Sequence, residues 1–296
     1  MAARHPQLIA AAVAVCLLVA SGLQATQSRR VAGAAGRIVS LVPALTETLF
    51  AIGAGSQVVG ISSFDTYPPE VRLLPRVGAL LDPDTERILA LRPDLVITYG
   101  SQSDARARFE SAGIRVFTYR HAGIAGTLRA IRELGEVTGH RSNAEVVAAR
   151  IESRLAMVRT RVRGARRPRT LLVFERSPRT LRGMYASGGS GFLNEMLDAA
   201  GGTNVFADVL QESVQPSHET LIARRPEVVL EVRARGLIDS EDEVRERAVW
   251  SALPSLPAVR TGRIHFLTSD TIVVPGPRLA DGAELLARAL HPERFR

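Results

Sequence analysis

An ungapped internal repeat constrains the fold of this chain more than any other feature of its 296 residues. Residues 83–97 read Pro-Asp-Thr-Glu-Arg-Ile-Leu-Ala-Leu-Arg-Pro-Asp-Leu-Val-Ile, and residues 216–230 read Pro-Ser-His-Glu-Thr-Leu-Ile-Ala-Arg-Arg-Pro-Glu-Val-Val-Leu. A looser echo pairs residues 47–53 with residues 195–201. Because related segments recur in the same order in both halves, the sequence predicts two lobes related by duplication.

The chemistry of the longer repeat indicates a short capped helix followed by a strand. Asp84 and Ser217 are favourable N-cap residues, and each lies two positions before a glutamate, Glu86 or Glu219. A proline after each helix ends it, because the residue before proline prefers extended geometry. Each glutamate is therefore expected in a first helical turn, at the surface end of its lobe.

The matched glutamates, Glu86 and Glu219, admit two interpretations. The helix dipole favours an acidic residue in a first turn, so duplication could have preserved a stabilising residue. Equivalent carboxylates on two lobes could instead dock to a two-fold symmetric partner, with each carboxylate accepting hydrogen bonds from guanidinium groups. Such charged contacts fix the relative position of two proteins and speed their association more than they add to binding affinity. The matching positions favour docking.

Short apolar runs alternate with amphipathic stretches from residue 37 onward. In the first half they predict strands at 37–42, 58–62, 94–99 and 115–119 and helices at 46–52, 85–91, 104–112 and 125–138. In the second half they predict strands at 170–174, 228–232 and 264–268 and helices at 192–199, 220–224, 241–249 and 278–290. This alternation favours mostly parallel sheets covered on both faces.

One long helix is predicted between the two halves, at residues 143–163. Its apolar residues recur at intervals of three and four: Val147, Ile151, Leu155, Val158 and Val162. Ser142 is the expected N-cap, and Gly164 ends the helix. A helix of this length spans roughly 30 Å, which suits a rigid connection between lobes.

The prediction is therefore an α/β protein with two Rossmann-like lobes, mostly parallel sheets and one long connecting helix. Its expected division is a signal peptide at 1–25, an N-terminal lobe at 37–140, a connecting helix at 141–166 and a C-terminal lobe at 167–296.

The first 25 residues are typical of an export signal. Basic residues near the N-terminus precede an apolar run at residues 8–20, and small residues follow near Ala25. The run is too short for a comfortable membrane span, so an uncleaved anchor is the lesser alternative. Cys16 follows a valine where a lipoprotein site would have glycine or alanine, which disfavours a lipid anchor. We expect a periplasmic or otherwise extracytoplasmic protein.

Composition disfavours several other classes of protein. Cleavage near residue 25 would remove the single cysteine, which excludes thiol catalysis and cysteine metal sites. The net charge of +8 comes from 38 basic residues, all of them arginine, but these are spread along the chain and export argues against nucleic acid. The scattered histidines show no metal-ligand spacing.

An exported hydrolase is the alternative from a different class. Ser190 lies in Gly-Gly-Ser-Gly-Phe, which resembles a nucleophile elbow, but Phe192 stands where that motif needs glycine. A hydrolase would also need a histidine, such as His218, within hydrogen-bond reach of Ser190. We expect no catalytic residues and no metal site.

Three segments resemble the iron-siderophore and vitamin B12 class of periplasmic binding proteins. They are residues 37–47 (Arg-Ile-Val-Ser-Leu-Val-Pro-Ala-Leu-Thr-Glu), residues 59–69 (Val-Gly-Ile-Ser-Ser-Phe-Asp-Thr-Tyr-Pro-Pro) and residues 84–98. The second segment and Leu-Thr-Ser-Asp at 267–270 are most similar to the cobalamin-binding branch. The resemblance implies the receptor of an ABC importer, whose Glu86 and Glu219 meet arginines of the permease subunits.

The resemblance also implies a ligand in the cleft between the lobes, held in cobalamin-binding members by an aromatic cradle. The matching positions in this chain are Phe64, Leu80, Tyr99, Tyr185, Gln215 and Asp270. Leu80 and Gln215 depart from the tryptophans of the closest members. The implied ligand is cobalamin or a related corrinoid, and a ferric siderophore or haem is the alternative. We expect a monomer with no resident cofactor and no nucleic-acid partner.

Overall fold

The computed structural model describes residues 33–233 and 240–296. The signal peptide expected at residues 1–25 lies outside the described residues and stays a prediction. Within the described ranges, no helix is both long enough and apolar enough to cross a membrane. Residues 35–296 fold around two sheets.

The first lobe is built on a four-stranded parallel sheet. Its strands are β1 Ile38–Ser40, β2 Val58–Ile61, β3 Leu95–Tyr99 and β4 Arg115–Tyr119, in the order β2-β1-β3-β4. Its helices are α1 Pro43–Ala51, α2 Thr85–Ala90, α3 Ser103–Ser111 and α4 Gly123–Thr138. The central strands β1 and β3 are apolar and buried because helices cover both faces of the sheet.

A 21-residue helix, α5 Arg141–Arg161, connects the lobes. Its apolar stripe packs into the main hydrophobic core, where Ile151 and Leu155 are buried. The expected N-cap was wrong, because Ser142 lies inside the first turn of α5. The preceding helix α4 ends at Gly139, which has a φ of 78°, and the chain turns into α5 before the apolar stripe begins.

The second lobe contains a six-stranded mixed sheet. Its strands are β5 Arg169–Glu175, β6 Tyr185–Ser187, β7 Thr203–Asn204, β8 Ser213–Val214, β9 Val228–Arg233 and β10 Ile264–Thr268. Their order is β10-β9-β5-β6-β8, and β7 also pairs with β5. The helices are α6 Gly191–Ala199, α7 His218–Arg224, α8 Ser240–Ala248, α9 Pro257–Arg260 and α10 Leu279–Leu290.

The predicted fold class is confirmed, with a difference at one edge of the second sheet. Strands β6 and β8 run antiparallel to their neighbours, so this sheet is mixed. The sequence did not predict β6, β7, β8 or α9, because segments of two to four residues are too short to show a hydrophobic period. Short 3₁₀ helices complete the chain: Gly55–Gln57, Pro69–Leu73, Val249–Ala252, Asp270–Ile272 and Pro292–Arg294.

The longer sequence repeat is also a backbone repeat. Asp84 accepts a hydrogen bond from the N–H of Arg87 at 2.9 Å, and Ser217 accepts one from the N–H of Thr220 at 3.2 Å. Both predicted N-caps are therefore confirmed, and the repeat helices α2 and α7 begin in the same way.

The helix ends match as well. An arginine with positive φ follows each repeat helix, Arg92 at 50° and Arg225 at 49°. In the looser echo, the chain after α1 and after α6 passes through a glycine with positive φ, Gly53 at 89° and Gly201 at 81°. Both pairs of segments therefore adopt equivalent conformations in the two lobes.

A buried ionic network holds the end of β5 against β9. Arg176, which follows β5, pairs with Glu231 of β9 at 2.8 Å and with Glu246 of α8 at 2.6 Å. The indole N–H of Trp250 donates to Glu231 at 3.1 Å. Each buried charge has an opposite partner, which is the condition under which charges persist in a core. Phe174 lies two residues before Arg176, close to this network in the chain.

Candidate functional site

A cavity of about 270 Å³ lies between the lobes. The first lobe contributes His121, which follows β4, and the second contributes Phe174 of β5 and Phe192 in the first turn of α6. Ligands of α/β proteins bind at the carboxyl ends of the parallel strands, so this position is that of a ligand site. The other lining residues are Ser190, Gly191, Leu193, Glu212, Ser213 and Val273.

Aromatic rings continue from the cavity wall into the first lobe. His121 stacks on Phe192 across the lobes, with ring centroids 6.1 Å apart and planes inclined by 24°. The His121 ring also meets Tyr119 edge-on at 5.2 Å and lies 5.8 Å from the Tyr99 ring. These contacts form an aromatic wall that both lobes share.

The ring groups of this wall are uncharged near neutral pH. Burial lowers the pKa of His121, and the Glu212 carboxylate offsets this only in part, so the imidazole is neutral. Burial raises the pKa of Tyr99 to about 12 and also raises the pKa of Tyr119. The wall therefore offers π faces and neutral hydrogen-bonding groups.

Two of the six expected ligand residues lie beside the cavity. Tyr99 of the first lobe contacts the His121 ring. Tyr185 of the second lobe lies 6.3 Å from Phe174, which lines the cavity. The structure therefore places these two tyrosines on opposite lobes, next to the same cavity.

None of the six expected ligand residues is part of the cavity lining itself, and the other four lie elsewhere in the described structure. Leu80 lines a separate cavity of about 330 Å³ in the first lobe, and Gln215 lines one of about 350 Å³ in the second. Phe64 is 69% exposed. Burial is the main cause of the raised pKa of Glu47, and the charge of Asp270 adds to it. The structure therefore brings two of the six implied residues, Tyr99 and Tyr185, beside this cavity.

Sequence reasoning assigned none of the nine lining residues to a ligand site, and those with the most informative side chains are His121, Phe174, Phe192 and Glu212. A signal existed for His121, which lies two residues after the strand predicted at 115–119, and for Phe192, which opens the helix predicted at 192–199. Both positions lie at element ends, where α/β proteins bind ligands. Glu212 precedes the two-residue strand β8, which no sequence pattern indicates.

Ser190 and His121 line the same cavity, which bears on the hydrolase alternative. Among the described residues, no hydrogen bond joins the Ser190 hydroxyl to the His121 imidazole, or that imidazole to Glu212. His218 lines a different cavity, beside Glu219. In the described ranges, no group of three His, Cys, Asp or Glu residues could hold a metal ion. The hydrogen bond between serine and histidine that would activate Ser190 as a nucleophile is thus absent among the described residues.

The duplicated glutamates lie on the surface, each in the first turn of its repeat helix. Glu86 of α2 and Glu219 of α7 are both exposed. The Ser217 hydroxyl and the backbone lower the pKa of Glu219, which keeps this carboxylate ionised. Across the part of the chain that the structure describes, neither glutamate forms an ion pair with an arginine. Both charges are available to a partner.

Comparison with known proteins agrees with this fold. A sequence model described as periplasmic binding protein matches residues 38–271. The uncharacterized ABC transporter substrate-binding lipoprotein YvrC of Bacillus subtilis is 30% identical over 88% of this chain and 81% of its own length. The vitamin B12-binding protein of Salmonella paratyphi A is 29% identical over 87% of this chain and 91% of its own.

A solved structure shows the same architecture. The periplasmic heme-binding protein RhuT from Roseiflexus sp. RS-1, in its apo form, superimposes with a TM-score of 0.73 at 30% identity. The match covers 87% of this chain and 98% of that one. Together with the family match over most of the sequence, this shows that the chain belongs to the periplasmic binding protein family.

Proposed function

We propose that this protein is the extracytoplasmic substrate-binding receptor of an ABC importer and that it binds cobalamin or a related corrinoid between its lobes. The observation that carries the proposal is the cavity at the carboxyl ends of β4 and β5, walled by rings from both lobes. The name of YvrC supports the receptor role, and the name of the Salmonella protein supports the corrinoid ligand.

The chemistry of the wall suits a planar macrocycle. Large flat ligands stack on aromatic faces, and small-molecule sites combine such faces with a few polar groups. The cavity of about 270 Å³ is slightly smaller than the ~300–1,000 Å³ typical of small-molecule sites. The lobes must therefore move apart before a corrin ring can enter.

Haem is the second candidate, and His121 favours it. The imidazole is neutral and faces the cavity without a hydrogen-bond partner among the described residues. A ring nitrogen is therefore available as an axial ligand to iron. The heme-binding protein of Roseiflexus supports this candidate by its printed name.

Titration calorimetry of the purified protein tests the ligand. We expect hydroxocobalamin or cobinamide to bind with micromolar or tighter affinity and without turnover, and a ferric siderophore to bind weakly or not at all. Phe192→Ala should weaken corrinoid binding about tenfold by removing a stacking face. Phe295→Ala is the matched control, because that ring packs on Arg161 and Arg288 and does not line the cavity.

Failure of both corrinoids to bind would overturn the corrinoid proposal. Binding of hemin alone, with a Soret band that shifts in His121→Ala, would establish the haem candidate in its place. Tight binding of the ferric siderophore alone would assign the cleft to that ligand class. The hydrolase alternative predicts ester cleavage that Ser190→Ala abolishes, whereas the receptor has no such activity.

We further propose that Glu86 and Glu219 dock the receptor to the two permease subunits. Their exposure and their equivalent positions in the backbone repeat support this role.

We also propose export by the signal at residues 1–25 without a lipid anchor, because a valine precedes Cys16. YvrC is named a lipoprotein, so metabolic labelling with a lipid precursor is the test of that last point.

A further inference from the structure

The looser sequence echo plays no part in the ligand or docking proposals. It pairs Glu47 of α1 in the first lobe with Glu195 of α6 in the second. Each glutamate is the fifth residue of a nine-residue helix, Pro43–Ala51 or Gly191–Ala199. The two carboxylates therefore occupy equivalent places in the two lobes.

Glu47 crosses to the second lobe. Its carboxylate accepts two hydrogen bonds from Arg278, from Nε at 2.8 Å and from Nη2 at 2.5 Å. The Arg278 guanidinium also lies over the Tyr67 ring of the first lobe, 4.0 Å from its centroid. Glu47 is 5% exposed, so the pair is largely withdrawn from water. A buried bidentate pair of this kind is short and strongly directional.

Glu195 crosses in the opposite direction. Its carboxylate accepts a hydrogen bond from the backbone N–H of Ile124 at 2.7 Å, in the first turn of α4 in the first lobe. Gly123 is required beside it, since its φ is 65° and a Cβ there would collide with the Glu195 carboxylate. A carboxylate at a helix N-terminus is stabilised by the free N–H groups and by the helix dipole.

We infer that Glu47 and Glu195 are equivalent positioning residues that together hold the ligand cleft at one aperture and release it together. Each lies on one lobe and binds the other, so relative movement of the lobes strains both contacts. The Glu195 contact lies next to the cavity, since Ile124 follows His121 by three residues and Glu195 follows Phe192 by three. The Glu47 contact joins the loop after Val273 to the first lobe.

The Glu47 contact supplies the larger share of the restraint. Removing one partner of a buried pair leaves an uncompensated charge, which favours conformations in which water reaches it. Separation of the lobes near Arg278 provides that water. The same separation lengthens the hydrogen bond between Glu195 and Ile124, and this predicts coupling between two contacts that share no residue.

Hydrogen exchange of the backbone amide of Ile124, in the free protein without ligand, measures this coupling. We expect Arg278→Gln and Glu47→Gln each to raise the exchange rate of this amide about tenfold, although neither residue is hydrogen-bonded to Ile124. Arg224→Gln is the matched control, because Arg224 forms a bidentate pair with Asp208 inside the second lobe. It should leave the Ile124 rate unchanged.

The reciprocal experiment follows the side chain of Arg278 by NMR. Glu195→Ala should raise the exchange rate of the Nε–H of Arg278 about tenfold, because the loss of one contact loosens the other. An Ile124 amide that is unaffected by both Arg278→Gln and Glu47→Gln overturns the inference. An equal rise in the core amides of β1 and β5 also overturns it, since that pattern reports global unfolding. Both readouts use the protein alone and are independent of the cargo.

Discussion

At the scale of single residues, Asp65 illustrates how burial changes the chemistry of one side chain. It is 1% exposed, and within the described ranges neither carboxylate oxygen has a hydrogen bond of ordinary geometry. Burial raises its pKa to about 6, and the adjacent hydroxyls of Thr46 and Ser62 lower it only in part. The loop that carries the exposed Phe64 therefore buries a carboxyl group whose pKa is raised to about 6.

Asp65→Asn should stabilise the protein at neutral pH. Because the folded pKa of about 6 lies above the reference value of 3.8, protonation favours folding, and that contribution is lost as the pH rises through 6. We expect the substitution to raise the free energy of unfolding by roughly 1–3 kcal/mol at about pH 7.5 and to give little gain at about pH 4. Urea unfolding at both pH values measures this.

The control for that measurement is Asp82→Asn, the same chemical change at an exposed position. A stability difference for Asp65→Asn that does not vary between the two pH values would show that the buried carboxylate carries no desolvation cost.

At the scale of secondary-structure elements, the repeat helices end in an unusual way. Arg92 and Arg225 adopt positive φ, a region that costs an ordinary L-residue roughly 1–2 kcal/mol and that glycine tolerates freely. In each lobe this residue turns the chain from the repeat helix into the next strand, through a proline. The positive φ at the same position in both lobes indicates that the fold needs this turn geometry. The turn depends on the backbone conformation and does not depend on the arginine side chain.

Replacing either arginine by glycine should therefore stabilise the protein. We expect Arg92→Gly and Arg225→Gly each to raise the free energy of unfolding by roughly 0.5–1 kcal/mol, because strain relief exceeds the added chain entropy of the unfolded state. Chemical denaturation of the single variants measures the change. Arg87→Gly, inside α2, is the control and should lower stability by about 1 kcal/mol. Destabilisation at both positive-φ sites would contradict the strain argument.

At the scale of the whole molecule, the exposed glutamates of the two lobes and the cavity between them are separate features. Glu86 and Glu219 lie in the first turns of α2 and α7, and neither lines the cavity that contains His121. Docking and ligand binding should therefore respond to different substitutions. This separation gives the docking proposal a test that does not depend on the identity of the cargo.

The double variant Glu86→Arg with Glu219→Arg should lose transport and keep its ligand affinity. Under the docking proposal, charge reversal at Glu86 and Glu219 replaces attraction to permease arginines with repulsion, and we expect importer binding to weaken at least tenfold. Uptake into liposomes that contain the importer, together with ligand calorimetry, measures both properties. The charge-matched control is Glu110→Arg with Glu293→Arg, two exposed residues outside the repeat. A transport-competent Glu86/Glu219 variant would refute the docking proposal.

The sequence predicted much of the fold because the relevant signals are local. Capping by Asp84 and Ser217 acts over three residues, and the stripe of Ile151 and Leu155 repeats within one helix. The ungapped repeat added long-range information, since two copies of one helix–strand unit require two lobes. Elements of two or three residues, such as β7 and β8, left no periodic signal and were missed.

The cavity and the contacts across it were decided by tertiary structure alone. His121 stacks on Phe192 from the other lobe. The contact between Ile124 and Glu195 joins residues 71 positions apart in the chain, and the contact between Glu47 and Arg278 joins residues 231 positions apart. No local pattern encodes such pairs, because each depends on how two lobes pack after they have folded. The sequence by itself determined the two lobes, their repeat helices and the equivalent placement of the glutamates. Packing decided which glutamates face solvent and which reach the other lobe, because burial depends on neighbours that are distant in the chain.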